Sequence, residues 1–194
     1  MYKISLLGGI ILLASTSGFA ESDRKQGWFA GISLAATSIN TDIEVDDRDS
    51  SLSGFGGYRF NDYIAVQGEF TTLGTYKGKQ EDLNAIELGG YGVTAKGIIP
   101  FGRSGFDLYG RLGLAVLHYS QKVDISGTEL DHDSTGDSII SSVGMSYTPS
   151  GFQRMSFNIE FSNYYFETEK TFVDDDDPES NSVSRFGIGA QYNF

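Results

Sequence analysis

Glu69, Lys96, Arg111, Glu160 and Arg185 each stand inside a stretch of alternating apolar residues, where a charge must find a partner or be costly. Residue types that could do other chemistry are few. The chain has two histidines, His118 and His132, and no cysteine. Hydrolysis by a Ser-His-acid arrangement needs a base beside its nucleophile, but His132 lies in a polar stretch and His118 on an apolar face. The pair Ser162-Asn163 is preceded by Glu160 and Phe161 rather than by a histidine. An aspartyl dyad in the acidic stretches stays open; the residues otherwise argue against an enzyme, and no catalytic residue is assigned. One metal candidate is Asp131-His132-Asp133-Ser134-Thr135-Gly136-Asp137, with oxygen ligands at alternating positions around a glycine. A calcium loop closes with a Glu at its twelfth position, which here is Ser142. The stretch therefore reads as a solvated acidic loop, with no metal and no cofactor.

The elements that carry these residues follow from periodicity. From Gly27 to Phe194 the pattern has period 2, punctuated by Gly, Asn, Asp and Ser, with no convincing 3.6-residue amphipathicity. That is an all-β reading. Eight segments can be drawn, at roughly 27–37, 51–61, 63–73, 86–100, 105–118, 138–148, 153–166 and 182–194. Their length suits a tilted strand crossing a bilayer. Short turns are expected at Asn61-Asp62, Phe101 to Ser104 and Pro149 to Gly151. Long polar stretches fall between them at about 38–50, 74–85, 119–137 and 167–181, an alternation expected of periplasmic turns and extracellular loops.

The N-terminus fits an exported protein. Lys3, the apolar run Ile4 to Leu13, and the small residues Gly18 and Ala20 read as a signal peptide over 1–20, cut before Glu21. That run is too short for a membrane-spanning helix, and no later window is long and apolar enough. A membrane can then be spanned only by strands. Without disulfides, stability must come from packing and backbone pairing, which a closed barrel supplies. The formal charge of −12 argues against nucleic acid as a partner.

Alternation assigns the faces. The last strand sets Phe186, Ile188, Ala190, Tyr192 and Phe194 against Arg185, Gly187, Gly189, Gln191 and Asn193. The seventh sets Met155, Phe157, Ile159, Phe161 and Tyr165 against Arg154, Ser156, Asn158, Glu160 and Ser162. The fifth sets Leu108, Leu112, Leu114 and Val116 against Asp107, Tyr109, Arg111 and Gly113, with His118 on the apolar parity. The apolar faces hold too many large side chains for the narrow interior of an eight-stranded barrel. They are therefore expected to face lipid, with small polar and Gly positions filling the lumen. Trp28, Tyr58, Tyr63, Tyr147 and Phe152 are expected in the periplasmic aromatic girdle, and Tyr119, Tyr164, Tyr165 and Phe166 in the extracellular one.

Four segments carry a family resemblance: Gly54-Phe-Gly-Gly-Tyr58, Tyr63-Ile-Ala-Val-Gln-Gly-Glu-Phe-Thr-Thr-Leu-Gly74, Val93-Thr-Ala-Lys-Gly97 and Tyr109-Gly-Arg-Leu-Gly113. They resemble the OmpA-type membrane domain across almost all of 27–194. Tyr192 and the terminal Phe194 match the C-terminal signal read by the outer-membrane assembly machinery in that class. Ending at this Phe, the sequence is expected to lack the family's periplasmic peptidoglycan-binding domain. The resemblance implies a lumenal charge network that blocks or gates a narrow water path, with Lys96, Arg111 and Glu160 at matching positions. Gln67 stands where the family has a further glutamate, with Glu69 two residues on and on the same face.

The expectation is an eight-stranded antiparallel up-and-down transmembrane β-barrel over 21–194, with Glu69, Lys96, Arg111, Glu160 and Arg185 connected in its lumen. Glu160 and Arg185, on adjacent strands and each about nine residues from the periplasmic end, are the first pair expected. By the boundaries above, the four loops carry net charges of −4, 0, −4 and −6, so nearly all the acidity faces outward. The expected role is that of an outer-membrane surface protein, structural or acting in attachment and recognition through its loops; a narrow charge-gated pore is the alternative. Expected partners are outer-membrane lipid and lipopolysaccharide, the assembly machinery and periplasmic chaperones, and host or phage surface receptors.

Overall fold

The computed structural model describes residues 26–40, 48–77, 83–102, 104–125, 128–168 and 179–194. The segment read as a signal peptide lies outside them. Eight strands follow one another: β1 (Gly27–Asn40), β2 (Arg48–Arg59), β3 (Ile64–Lys77), β4 (Leu83–Pro100), β5 (Phe106–Ile125), β6 (Thr128–Tyr147), β7 (Met155–Thr168) and β8 (Glu179–Asn193). Each pairs antiparallel with its neighbours in sequence, and β1 closes on β8 through Phe29↔Asn193 to Asn40↔Ser182. Closure leaves no free sheet edge, which a strand structure needs in hydrocarbon because no water is there to satisfy the backbone.

The barrel is inside-out relative to a soluble one. On β3, Phe70 is 73% exposed while Glu69 beside it is 4% exposed. The same inversion runs round the wall: Ile32, Leu34, Val93, Leu114 and Ile188 are exposed, and Ser33, Thr94 and Arg185 are buried. In water such an apolar girdle would be far larger than a soluble monomer tolerates; in lipid it is the solvated face.

The short turns are tight and locally satisfied. The Asn61 side chain accepts hydrogen bonds from the amides of Tyr63 (2.8 Å) and Ile64 (2.9 Å), an Asx turn that reverses β2 into β3. Between β4 and β5, Gly102 (φ 57°) and Gly105 (φ 79°) adopt left-handed conformations that favour glycine.

Three expectations change. The stretch 119–137 is not an irregular loop: β5 and β6 stay paired from Phe106↔Tyr147 to Ile125↔Thr128. A strand with polar residues on both parities shows no apolar alternation, so polar composition conceals it. Asp131 to Asp137, expected as a solvated loop, is therefore extended strand opposite Lys122 to Val116. Finally, Tyr164 is fully buried and Phe166 packs against the interior, so neither belongs to the lipid-facing girdle. Trp28, Tyr63, Tyr147, Phe152 and Tyr165 do face outward, while Tyr58 is half-buried and packs edge-on against Trp28.

Candidate functional site

The lumen is filled in three layers, because each strand carries a different inward residue at each depth. At the end opposite the short turns Ile39, Leu73, Leu88, Ala115, Leu117, Ile140, Tyr164 and Val183 form a closed apolar cluster, with Phe166 packed against it. A bulge in β3 between Thr72 and Gly74 accompanies the placement of Leu73, which is fully buried. At the short-turn end Phe29, Ala65, Ile98 and Tyr109 cluster with Phe55. The expectation of a lumen lined only by small and polar residues is thus corrected at both ends. Large rings fit because glycines face them: Tyr109 lies opposite Gly144, where an added Cβ would meet the ring at 2.5 Å, and Phe55 lies opposite Gly31.

Between the apolar layers lie the charges. Arg111, on β5, is the hub. Its Nη2 and Nε donate to Glu160 of β7 at 2.5 and 3.1 Å, a two-pronged grip, while its Nη1 donates to Glu69 of β3 at 2.5 Å. Nε also reaches Ser142 Oγ at 3.0 Å. The second oxygen of Glu69 accepts from the Tyr164 hydroxyl at 2.6 Å, and Glu160 accepts from Ser162 at 2.8 Å. Each carboxylate therefore has both charge and hydrogen-bond compensation, which burial at this depth demands.

The other two cations are held differently. Lys96 places its ammonium 3.8 Å from the centre of the Tyr109 ring and 6.0 Å from that of Phe29, a cation–π arrangement. Arg185 donates to Ser33 at 2.5 Å and to Ser51 at 3.1 Å, and Ser51 continues to Thr71 at 3.3 Å. The structure thus gives Glu160 to Arg111 rather than to Arg185. In the β7–β8 ladder Glu160 lies opposite Gly187, and Arg185 lies opposite Ser162. A planar fork two strands away satisfies the carboxylate better than a diagonal neighbour. All five residues named from sequence face the lumen, but only Glu69, Arg111 and Glu160 form one ion-paired cluster among the described residues.

Sequence reasoning missed Tyr164, whose parity with Glu160 and Ser162 identifies it as inward. It missed the serine and threonine partners of the arginines as well, which carry no signal beyond parity. Near the short-turn mouth Arg59 and Asp107 form a further pair at 3.7 Å. At the C-terminus Tyr192 and Phe194 both face outward, their rings edge to face at 5.1 Å. The Phe194 amide donates to the Trp28 carbonyl at 3.0 Å and so helps close the barrel. Ser162 donates to Glu160, and the ring of His118 lies 5.7 Å from Tyr91 on the outer face.

Known structures share this architecture. The chain superimposes on Neisserial surface protein A with a TM-score of 0.66 at 17% identity, covering 87% of this chain and 97% of that one. The attachment invasion locus protein Ail of Yersinia pestis, determined with the heparin analogue sucrose octasulfate, gives a TM-score of 0.59 at 17% identity over 88% and 99%. OprG from Pseudomonas aeruginosa gives 0.53 at 15% identity over 88% and 98%. These likenesses are of fold. A search of curated protein sequences finds no match. The profile of one family, described as the outer membrane protein beta-barrel domain, matches residues 9–194, nearly the whole chain. With that match on a closed eight-stranded wall that turns its large apolar side chains outward, the chain belongs to the outer-membrane β-barrel domain family.

Proposed function

We propose that this barrel is a surface-presenting protein whose work is attachment or recognition through its extracellular segments. The observation that carries this reading is the β5–β6 hairpin. The apolar outward residues end near Val116 and Ile139, yet six further pairs, Ser120↔Asp133 to Ile125↔Thr128, continue the ladder. At about 3.3 Å per residue these six pairs alone span about 20 Å of hairpin. A paired hairpin loses less conformational entropy on binding than a free loop of the same length.

The chemistry of the partner follows from charge. Ail was determined with a sulfated heparin analogue, whereas the segments beyond the membrane here are acidic, with Asp174 to Asp177 the densest run. A sulfated polyanion would be repelled; a cationic partner, such as a basic surface of a host or phage receptor, would be attracted. Divalent cations would let the same acidity sit among anionic lipopolysaccharide. Export through the segment 1–20 and delivery by periplasmic chaperones to the assembly machinery, with Tyr192 and Phe194 as the signal, belong to this reading.

A conducting pore is the weaker alternative. The charged layer lies between two apolar layers, and its cavity, at about 20 Å³, holds roughly one water. The test uses the protein in zwitterionic nanodiscs, titrated with polylysine and with heparin. The expected result is salt-sensitive binding of polylysine, weakened when Asp174 to Asp177 are changed to Asn, and no binding of heparin. Tighter binding of heparin than of polylysine would contradict the proposal.

A further inference from the structure

We propose that the small cavity at the centre of the barrel is a binding site for one monovalent anion of halide size, held between Lys96 and Arg185. Its wall includes three cations, Lys96, Arg111 and Arg185, and two carboxylates, Glu69 and Glu160. Both carboxylates are committed to Arg111, which grips Glu160 with two nitrogens and Glu69 with the third. With every group in its ordinary ionised form, the middle layer carries one positive charge in excess. The pair Arg59–Asp107 nearer the short-turn mouth is neutral as a unit and does not change that balance.

The excess sits on the two cations without a carboxylate. Among the described residues Lys96 has ring faces for neighbours and forms no ion pair. Arg185 donates Nε and Nη2 to neutral hydroxyls, which leaves Nη1 without an acceptor among those residues. Lys96 is 9% exposed and Arg185 4%, so bulk solvent does little to stabilise either charge. A buried cation lacking a counter-charge is strongly unfavourable. An anion supplies that charge. The cavity of about 20 Å³ suits a single small ion, and the polar side chains of Ser53 and Asn158 complete its wall. The apolar layers above and below separate the site from the acidic extracellular segments, so those carboxylates do not neutralise it.

The full-length chain, refolded and crystallised from sodium bromide, should show an anomalous-scattering peak in the cavity between Lys96 and Arg185. In solution, replacing gluconate by chloride at equal ionic strength should shift the folding equilibrium constant about tenfold when the halide is at ten times its dissociation constant. Lys96→Met replaces a buried cation by an apolar chain of similar length, and should fold while losing the halide dependence. Arg185→Met serves as the second variant if the first does not fold. A cavity without anomalous signal in bromide would overturn the proposal. So would a chloride effect that is absent from the native chain, or equal in the native chain and in whichever variant folds.

Discussion

Removing the hub of the charged layer tests the packing logic of the lumen. In Arg111→Met the apolar chain keeps much of the volume of the arginine stem, but Glu69 and Glu160 lose their shared cation. The native contacts at 2.5 Å to each carboxylate sit where Arg111 is only 4% exposed, so water cannot replace them. A pair of unit charges near 4 Å interacts by about 4 kcal/mol at an effective dielectric constant of about 20. Desolvation of the native pair offsets much of that gain, but truncation leaves two buried like charges. The expected cost is about 3–5 kcal/mol. Urea unfolding in lipid vesicles, followed through Trp28 fluorescence and by the gel mobility of the unboiled protein, reads it directly. The triple variant Arg111→Met, Glu69→Gln, Glu160→Gln removes the charges together and should recover most of the loss. A single-variant cost under about 1 kcal/mol, or a triple variant no better than the single, would refute the reasoning.

Three smaller perturbations probe other parts of the account. Leu112, 59% exposed in the outward apolar row of β5, should cost about 2–4 kcal/mol when changed to Arg if it faces the bilayer interior, measured by the same unfolding assay; a soluble surface would tolerate the change within about 0.5 kcal/mol. Gly144→Ala places a Cβ 2.5 Å from the Tyr109 ring, and about 1–3 kcal/mol of destabilisation is expected, partly relieved by Tyr109→Ala in a double-mutant cycle. Tyr164→Phe deletes one charge-assisted hydrogen bond to Glu69 and should lower stability by about 1.5–3 kcal/mol; no measurable loss would return Tyr164 to the girdle.

Much of the fold was legible because the bilayer and the lumen impose opposite demands on successive residues. Where one face meets lipid and the other meets charge, as along Phe157 to Ser162, alternation is unambiguous and the observed faces agree with it. The signal fails where that contrast disappears. Tyr164, Tyr165 and Phe166 are all aromatic, so composition cannot tell which rings turn inward, and closeness to the strand end suggested a girdle for all three. From Tyr119 to Asp137 polar residues fall on both parities, so the run resembled a loop although its backbone is paired. The charged residues were identifiable one by one, since each interrupts an apolar pattern on the inward parity. Their pairing was not, because the choice of Arg111 over Arg185 by Glu160 depends on reach across a narrow lumen rather than on neighbouring strands. The apolar layers were hidden for a related reason: Leu73, Leu117, Ile140 and Val183 lie inward near the end opposite the short turns, where a polar lumen was expected.

The central claim is a barrel that spans the outer membrane, with its paired β5–β6 hairpin outside the cell and its short turns inside. Because the chain has no cysteine, single reporters can be placed without background. Intact cells carrying Thr128→Cys, at the start of β6 where the β5–β6 ladder ends, or Ser150→Cys, in the turn before β7, should be treated with a membrane-impermeant maleimide. The account predicts labelling at position 128 in intact cells, and at position 150 only after the outer membrane is permeabilised. Labelling of position 150 in intact cells, or of 128 only after permeabilisation, would contradict it.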